Sequence, residues 1–271
     1  MAAQKETITI GDLPTELLHN ILDHLGCEYH ETLAACSLVC RHWLDISRQH
    51  LFQEIHVLRD CDETFEDLAK FLEVHKTIAD CVRTLSLEAR LFHIPPAESL
   101  MPSLSLDLLF RILQALPNIK GLRMRQIKIA PSSCHLASNH HRFNIEHIEY
   151  QKCLTDIKNT FELLSWFHID HLDFDPLFTD SKDAEVNVGN HILDVRSLCV
   201  SPWTTDPLVT FQALQQVVPR DMLKTFRYPS LTVQPTPPPV VDFLRDVGQN
   251  IVDLNLCPST SGTVVSVLQR C

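Results

Sequence analysis

A six-residue pattern, apolar-x-x-apolar-x-apolar, recurs seven times between residues 82 and 256 of this chain. It reads VRTLSL from 82, IKGLRM from 119, IEHIEY from 145, IDHLDF from 169, VRSLCV from 195, LKTFRY from 223 and IVDLNL from 251. Successive starts lie 37, 26, 24, 26, 28 and 28 residues apart. Alternating apolar residues mark a strand with one buried face, and a near-constant period marks a chain of stacked units. Stretches with helical apolar spacing lie between the motifs: SLDLLFRILQALPN (105–118), LTDIKNTFELLSWF (154–167), LVTFQALQQVVP (208–219) and PPVVDFLRDVGQN (238–250). The alternation predicts an α/β architecture, a right-handed βα solenoid in which each unit buries itself only against its neighbours.

The first fifty residues obey a different rule. DLPTELLHNILDHL (12–25) places Leu17, Ile21 and Leu25 at helical spacing, with Leu18 and Leu22 beside them. Pro14 suits the start of a helix because its φ is preset and it has no amide proton to leave unpaired. Asp12 is a candidate cap. Two further apolar helices fit TLAACSLVC (32–40) and RHWLDISRQHLF (41–52). Three short helices bury little on their own, so the unit reads as one that completes its apolar contacts against a partner.

LPTELLHNILDHL followed by LAACSLVCRHWLDIS resembles an F-box across residues 10–55. Leu13, Pro14, Glu16, Ile21 and Leu25 match the first part of that family's pattern, and Leu33, Val39, Cys40, Arg41 and Trp43 the second. The segment CEYHET departs from it, replacing the usual acidic pair. The resemblance implies docking on the Skp-type adaptor of a cullin–RING ubiquitin ligase through these positions other than Arg41, together with Leu17. The alternative is a three-helix subdomain packed on its own chain.

The repeated region resembles the leucine-rich repeats that often follow an F-box. The family's Asn or Cys after each strand is met only by Cys153; Arg90, Ile127, Leu177, Trp203, Leu231 and Ser259 stand at the other positions. Without that ladder, loop backbone groups need other partners, and an irregular, flattened solenoid is expected. The 37-residue interval and PTPPPV (235–240) read as insertions. Residues 56–81 read as a helical linker, and 82–271 as the solenoid. GTVVSVLQRC (262–271) has the spacing of a starting helix, so the last unit is expected to be unfinished at Cys271.

In such a solenoid the middle residue of each L-x-L faces solvent on the strand wall. Those residues are Ser86, Arg123, Glu149, Asp173, Cys199, Arg227 and Asn255, with Arg125, His171, Asp175 and Asp253 flanking them. Arg123, Arg125, Glu149, His171, Asp173, Asp175 and Arg227 are the candidate target-binding residues. Their expected character is an acidic centre with a basic margin.

Composition narrows the chemistry. Only six glycines occur, at 11, 26, 121, 189, 248 and 262. A dinucleotide fingerprint, a P-loop and a G-x-S-x-G elbow need them clustered, so those enzyme classes are excluded. A net charge of −11 disfavours generic binding to nucleic acid or anionic membrane. No apolar run approaches the ~18 residues of a membrane span. The ten cysteines are scattered without a C-x-x-C, as in a reduced cytoplasmic or nuclear protein. HIDHLDFD (168–175) could supply metal ligands, but strand alternation puts His171, Asp173 and Asp175 on one solvated face. In the cluster His140, His141, Glu146 and His147, Phe143 stands where H-x-x-E-H needs its first histidine. No cofactor, metal or catalytic residue is therefore expected. The expected function is the non-enzymatic substrate-recognition subunit of a Skp–cullin–F-box ubiquitin ligase with an unknown protein target. The rival is a leucine-rich-repeat scaffold or inhibitor whose F-box-like helices cap the solenoid.

Overall fold

The computed structural model describes residues 13–25, 30–59, 63–89, 101–132, 142–179, 186, 188–202, 204–229 and 238–256. Three helices come first: α1 (Thr15–Leu25), α2 (His30–Ser37) and α3 (Arg41–Leu51). The carbonyl of Pro14 accepts from the amides of Leu17 and Leu18 at 3.0 and 3.2 Å, which starts α1 where the proline predicts. Leu18, Leu22, Leu33, Trp43 and Ile46 form a small buried core, with Leu13, Cys36 and Leu51 against it.

The rest is a mixed α/β body built on one sheet. In chain order it contains β1 (Glu54–Arg59), α4 (Glu63–Val74), α5 (Lys76–Ala79), β2 (Thr84–Ala89), β3 (Ser103–Ser105), α6 (Leu106–Gln114), β4 (Gly121–Arg125) and β5 (Lys128–Ala130). It continues with β6 (Phe143–Thr155), α7 (Ile157–Leu164), β7 (Phe167–Phe178), β8 (Asp194–Val200), α8 (Pro207–Val217), β9 (Thr225–Arg227), α9 (Pro238–Val247) and β10 (Asp253–Asn255). The main path is β1-β2-β4-β6-β7-β8-β9-β10, so strands neighbour one another in chain order, and β3 and β5 form a short side branch. Every pairing is parallel. All seven six-residue motifs form strands of this sheet.

Helices are anchored by residues that satisfy their first amides. Ser105, Asp156 and Asp206 cap α6, α7 and α8, accepting from Leu108, Asn159 and Val209 at 3.2, 2.6 and 3.1 Å. One apolar face of the sheet and the inward faces of these helices share a continuous core, including Phe161, Phe174, Phe211, Phe226 and Phe243.

Two expectations need correction. Residues 56–81 are not a purely helical linker: β1 is the first strand of the sheet, paired with β2 from Glu54↔Thr84 to Arg59↔Ala89. The motif is present there as FQEIHV (52–57), thirty residues before VRTLSL, and it overlaps the end of the F-box-like pattern. PTPPPV is not wholly an insertion, because Pro238 opens α9. Asp12 and residues 257–271, where a cap and an unfinished unit are expected, lie outside the described residues, as do Arg90, Trp203, Leu231 and Ser259.

A backbone step recurs at matched positions of adjacent strands. Gln126, after β4, and Lys152, within β6, have φ of 54° and 52°. Their predecessors Arg125 and Gln151 are register partners, so the left-handed step falls at matched positions. Non-glycine residues rarely adopt it, and here it ends one side-chain row and turns Ile127 and Cys153 inward. The Cys153 thiol donates to the Met124 carbonyl at 3.3 Å, and the Gln126 amide to the Gln151 carbonyl at 3.0 Å.

Candidate functional site

Two surfaces qualify. The first is on the three-helix unit. Helix α1 is apolar on two sides: Leu18 and Leu22 enter the small core, while Leu17 and Ile21 remain 48% and 43% exposed. The turn after α2 exposes Leu38 (86%) and Val39 (60%). Leaving four large aliphatic side chains in water on so small a unit costs hydrophobic free energy that a partner would recover.

The structure divides the expected adaptor-binding residues into two kinds. Pro14, Glu16, Leu17, Ile21, Val39 and Cys40 are exposed. Leu33 and Trp43 are buried and Leu13 half-buried, so they hold the helices together. The side chain of Leu25 lies outside the described residues. Leu38 was not among the expected residues. Its signal was its place in an apolar run, SLVC, that turns out to contain the helix end.

The second surface is the open face of the sheet, whose register aligns side chains in rows. One row holds Ser86, Arg123, Glu149, Asp173, Cys199 and Arg227. Beside it lie a row with Glu88, Arg125, Gln151 and Asp175, and another with Thr84, Gly121, His147, His171 and Ser197. The candidate target-binding residues thus share one face.

Its charges are largely paired internally. Arg123 Nη1 lies 2.6 Å from Glu54 Oε1 and its Nε 3.6 Å from Glu149 Oε2. Arg125 donates to Glu149 from Nε at 3.0 Å and also from Nη2. Lys152 Nζ is 2.9 Å from Asp175 Oδ2, and Arg227 Nη2 3.8 Å from Asp253 Oδ2. Glu149 and Asp175 are each only 7% exposed. The expected acidic centre is therefore corrected to a compensated one: two of its carboxylates are buried against cations, as burial demands.

Asp173 is different. Its Oδ1 is 3.1 Å from His171 Nε2, and its Oδ2 is 3.5 Å from His147 Nε2. His171 Nδ1 is 2.9 Å from Ser197 Oγ on the next strand. The two imidazoles are stacked, with centroids 5.0 Å apart and planes at 15°. Burial pulls the pKa of His147 below its ordinary value, with Asp173 opposing and His171 adding to the fall. Cys199 is pushed up to about 11, first by burial and then by Asp173. Burial chiefly pushes Cys153 up to about 12, with the Asp175 charge adding and backbone hydrogen bonds opposing. Both thiols are therefore protonated and unreactive at neutral pH.

His147 was the member of this cluster that sequence reasoning left in another group. It occupies the third position of IEHIEY, as His171 does in IDHLDF. Superposing the two motifs puts them side by side.

Among the described residues, no helix is long and apolar enough to cross a membrane. Residues 10–57 match the F-box-like family. The match embraces α1 to α3 and runs into β1. It establishes an F-box-like domain at the start of the chain, a type of domain that generally binds Skp-type adaptors in ubiquitin ligases. A comparison with curated proteins finds no match to the chain.

Proposed function

We propose that this chain is the target-recognition subunit of a Skp–cullin–F-box ubiquitin ligase. The observation that carries the reading is the exposed aliphatic set Leu17, Ile21, Leu38 and Val39 on an F-box-like unit whose own core is already closed. A scaffold whose helices merely capped the sheet would have no use for these side chains. In this reading the adaptor covers them, and the chain performs no chemistry. It holds a target protein near a ubiquitin-transfer centre supplied by other subunits, a gain in effective concentration.

The sheet region is, in the same proposal, a degenerate leucine-rich-repeat array that begins with β1 and receives the target on its open face. Three features support it: strands paired in chain order, the recurring left-handed step at Gln126 and Lys152, and the Cys153 thiol bonded to the neighbouring unit. The five described cysteines are free, in keeping with a reducing cytoplasm or nucleus.

Adaptor capture by the purified chain tests the reading. Leu17→Ala with Ile21→Ala removes two apolar contacts and should weaken capture by about 2–4 kcal/mol, a loss of at least roughly thirtyfold. Undiminished capture by a double variant with unchanged circular dichroism, or no capture by the wild type, would overturn it.

A further inference from the structure

Among the described residues of the open face, one carboxylate is met by imidazoles rather than by an Arg or Lys. Glu149 and Asp175 each meet a cationic Arg or Lys, whereas Asp173 is flanked by two imidazoles. We propose that His147, His171 and Asp173 form a binding site for a divalent first-row transition-metal ion, Zn²⁺ foremost, with a fourth position open to solvent.

The geometry points this way on three counts. Candidate donor atoms from all three residues lie within 4.8 Å of one another. Each imidazole nitrogen already stands near an Asp173 oxygen, His171 Nε2 3.1 Å from Oδ1 and His147 Nε2 3.5 Å from Oδ2. Both separations are close to the edge of about 3.3 Å that a tetrahedron with ~2.0–2.1 Å metal–ligand bonds requires, so a small turn of the carboxylate brings one oxygen to serve both. Side-chain exposures of 37%, 30% and 32% leave the cluster reachable from solvent.

Orientation is supplied from outside the cluster. Ser197 Oγ meets His171 Nδ1 at 2.9 Å. When Nδ1 donates that hydrogen bond, the lone pair of Nε2 faces Asp173, the tautomer that a metal-binding imidazole needs. In the metal-free protein the other tautomer serves, with Ser197 Oγ donating to Nδ1 and Nε2–H donating to Asp173, and a metal ion takes the place of that proton. Parallel pairing of β6, β7 and β8 fixes the register, with His147 opposite His171 and His171 opposite Ser197.

The donor set selects the ion. Two imidazoles and one carboxylate suit Zn²⁺, and Cu²⁺ binds such a set more tightly in vitro. Mg²⁺ and Ca²⁺ prefer all-oxygen shells and fit poorly. The assignment does not depend on the ligase reading, because it rests only on the sheet.

The test uses the whole chain, stripped with a chelator and titrated with Zn²⁺ against a chromophoric competitor. The Cys199 thiol beside Asp173, and thiols elsewhere, could also take zinc, so Co²⁺ spectra and Cu²⁺ electron paramagnetic resonance accompany the titration. The expected result is one equivalent that His147→Gln with His171→Gln removes. It should show tetrahedral Co²⁺ bands without thiolate charge transfer, and Cu²⁺ coupling to two nitrogens. Ser197→Ala, which alters only the orientation of His171, should weaken this equivalent by about tenfold. Matching stoichiometry and spectra in the wild type and the folded double variant would overturn the site. So would a wild-type Cu²⁺ spectrum without imidazole coupling, a readout that needs no variant.

Discussion

Arg123 on β4 reaches Glu54 on β1, Nη1 to Oε1 at 2.6 Å, across the intervening strand β2. The residues β2 offers there, Thr84 and Ser86, are small enough for the guanidinium to pass over. The contact ties the first strand to the third strand of the main path. Both side chains are partly exposed, at 39% and 24%, so its contribution is modest. A double-mutant cycle with Arg123→Ala and Glu54→Ala should give a coupling of about 0.2–1 kcal/mol that shrinks in high salt. A coupling well above that range, indifferent to salt, would contradict this account.

The three-helix unit and the sheet body have separate buried cores. Leu18 is fully buried in the smaller one. Leu18→Ala should destabilise that unit by about 2–5 kcal/mol, from lost burial and the cavity left behind. Hydrogen exchange should then accelerate in α1 to α3 while the amides of β6 and β7 keep their protection. Equal loss of protection in both regions would show that the two cores melt as one.

His50 makes the helical unit sensitive to acid. Its Nε2 lies 3.1 Å from His19 Nδ1, and its Nδ1 3.2 Å from Asp23 Oδ1. A neutral His50 can accept from His19 and donate to Asp23. Protonation would set a second N–H against that of His19. Burial lowers the His50 pKa below 6.5, opposed by Asp23 and reinforced by His19. The unfolded chain therefore binds more protons between the lowered value and 6.5. Stability from this group is complete above 6.5, falls as pH drops toward the lowered pKa, and is flat below it. Denaturant titrations of the wild type and His50→Gln should converge as pH falls from 7.5 to 5. A constant difference between them would assign the sensitivity elsewhere.

Period and alternation made the sheet readable before any coordinates. Every motif that was found became a strand because the pattern records which side chains must leave water. The motif at 52–57 is hidden in the sequence because Phe52 ends the helical stretch RHWLDISRQHLF and His56 and Val57 run into the helical stretch that follows. Burial of Glu149 and Asp175 was illegible for another reason. Alternation says that a side chain leaves the core face, but not that an arginine or lysine from the neighbouring strand will cover it. The division of the expected adaptor-binding positions into exposed Ile21 and buried Trp43 likewise depends on how three helices cross, which spacing along one helix does not encode.

Because spatial order follows chain order in this sheet, the gene can be edited as the structure is edited. Duplicating one strand–helix segment would add a strand beside its parent without rethreading any other part. Deleting one would close the gap between strands of the same polarity. The reach of the open face can thus grow or shrink in steps of one strand while Leu17, Ile21, Leu38 and Val39 stay as they are. On the proposed function, what the chain grips and where it is attached are separately heritable.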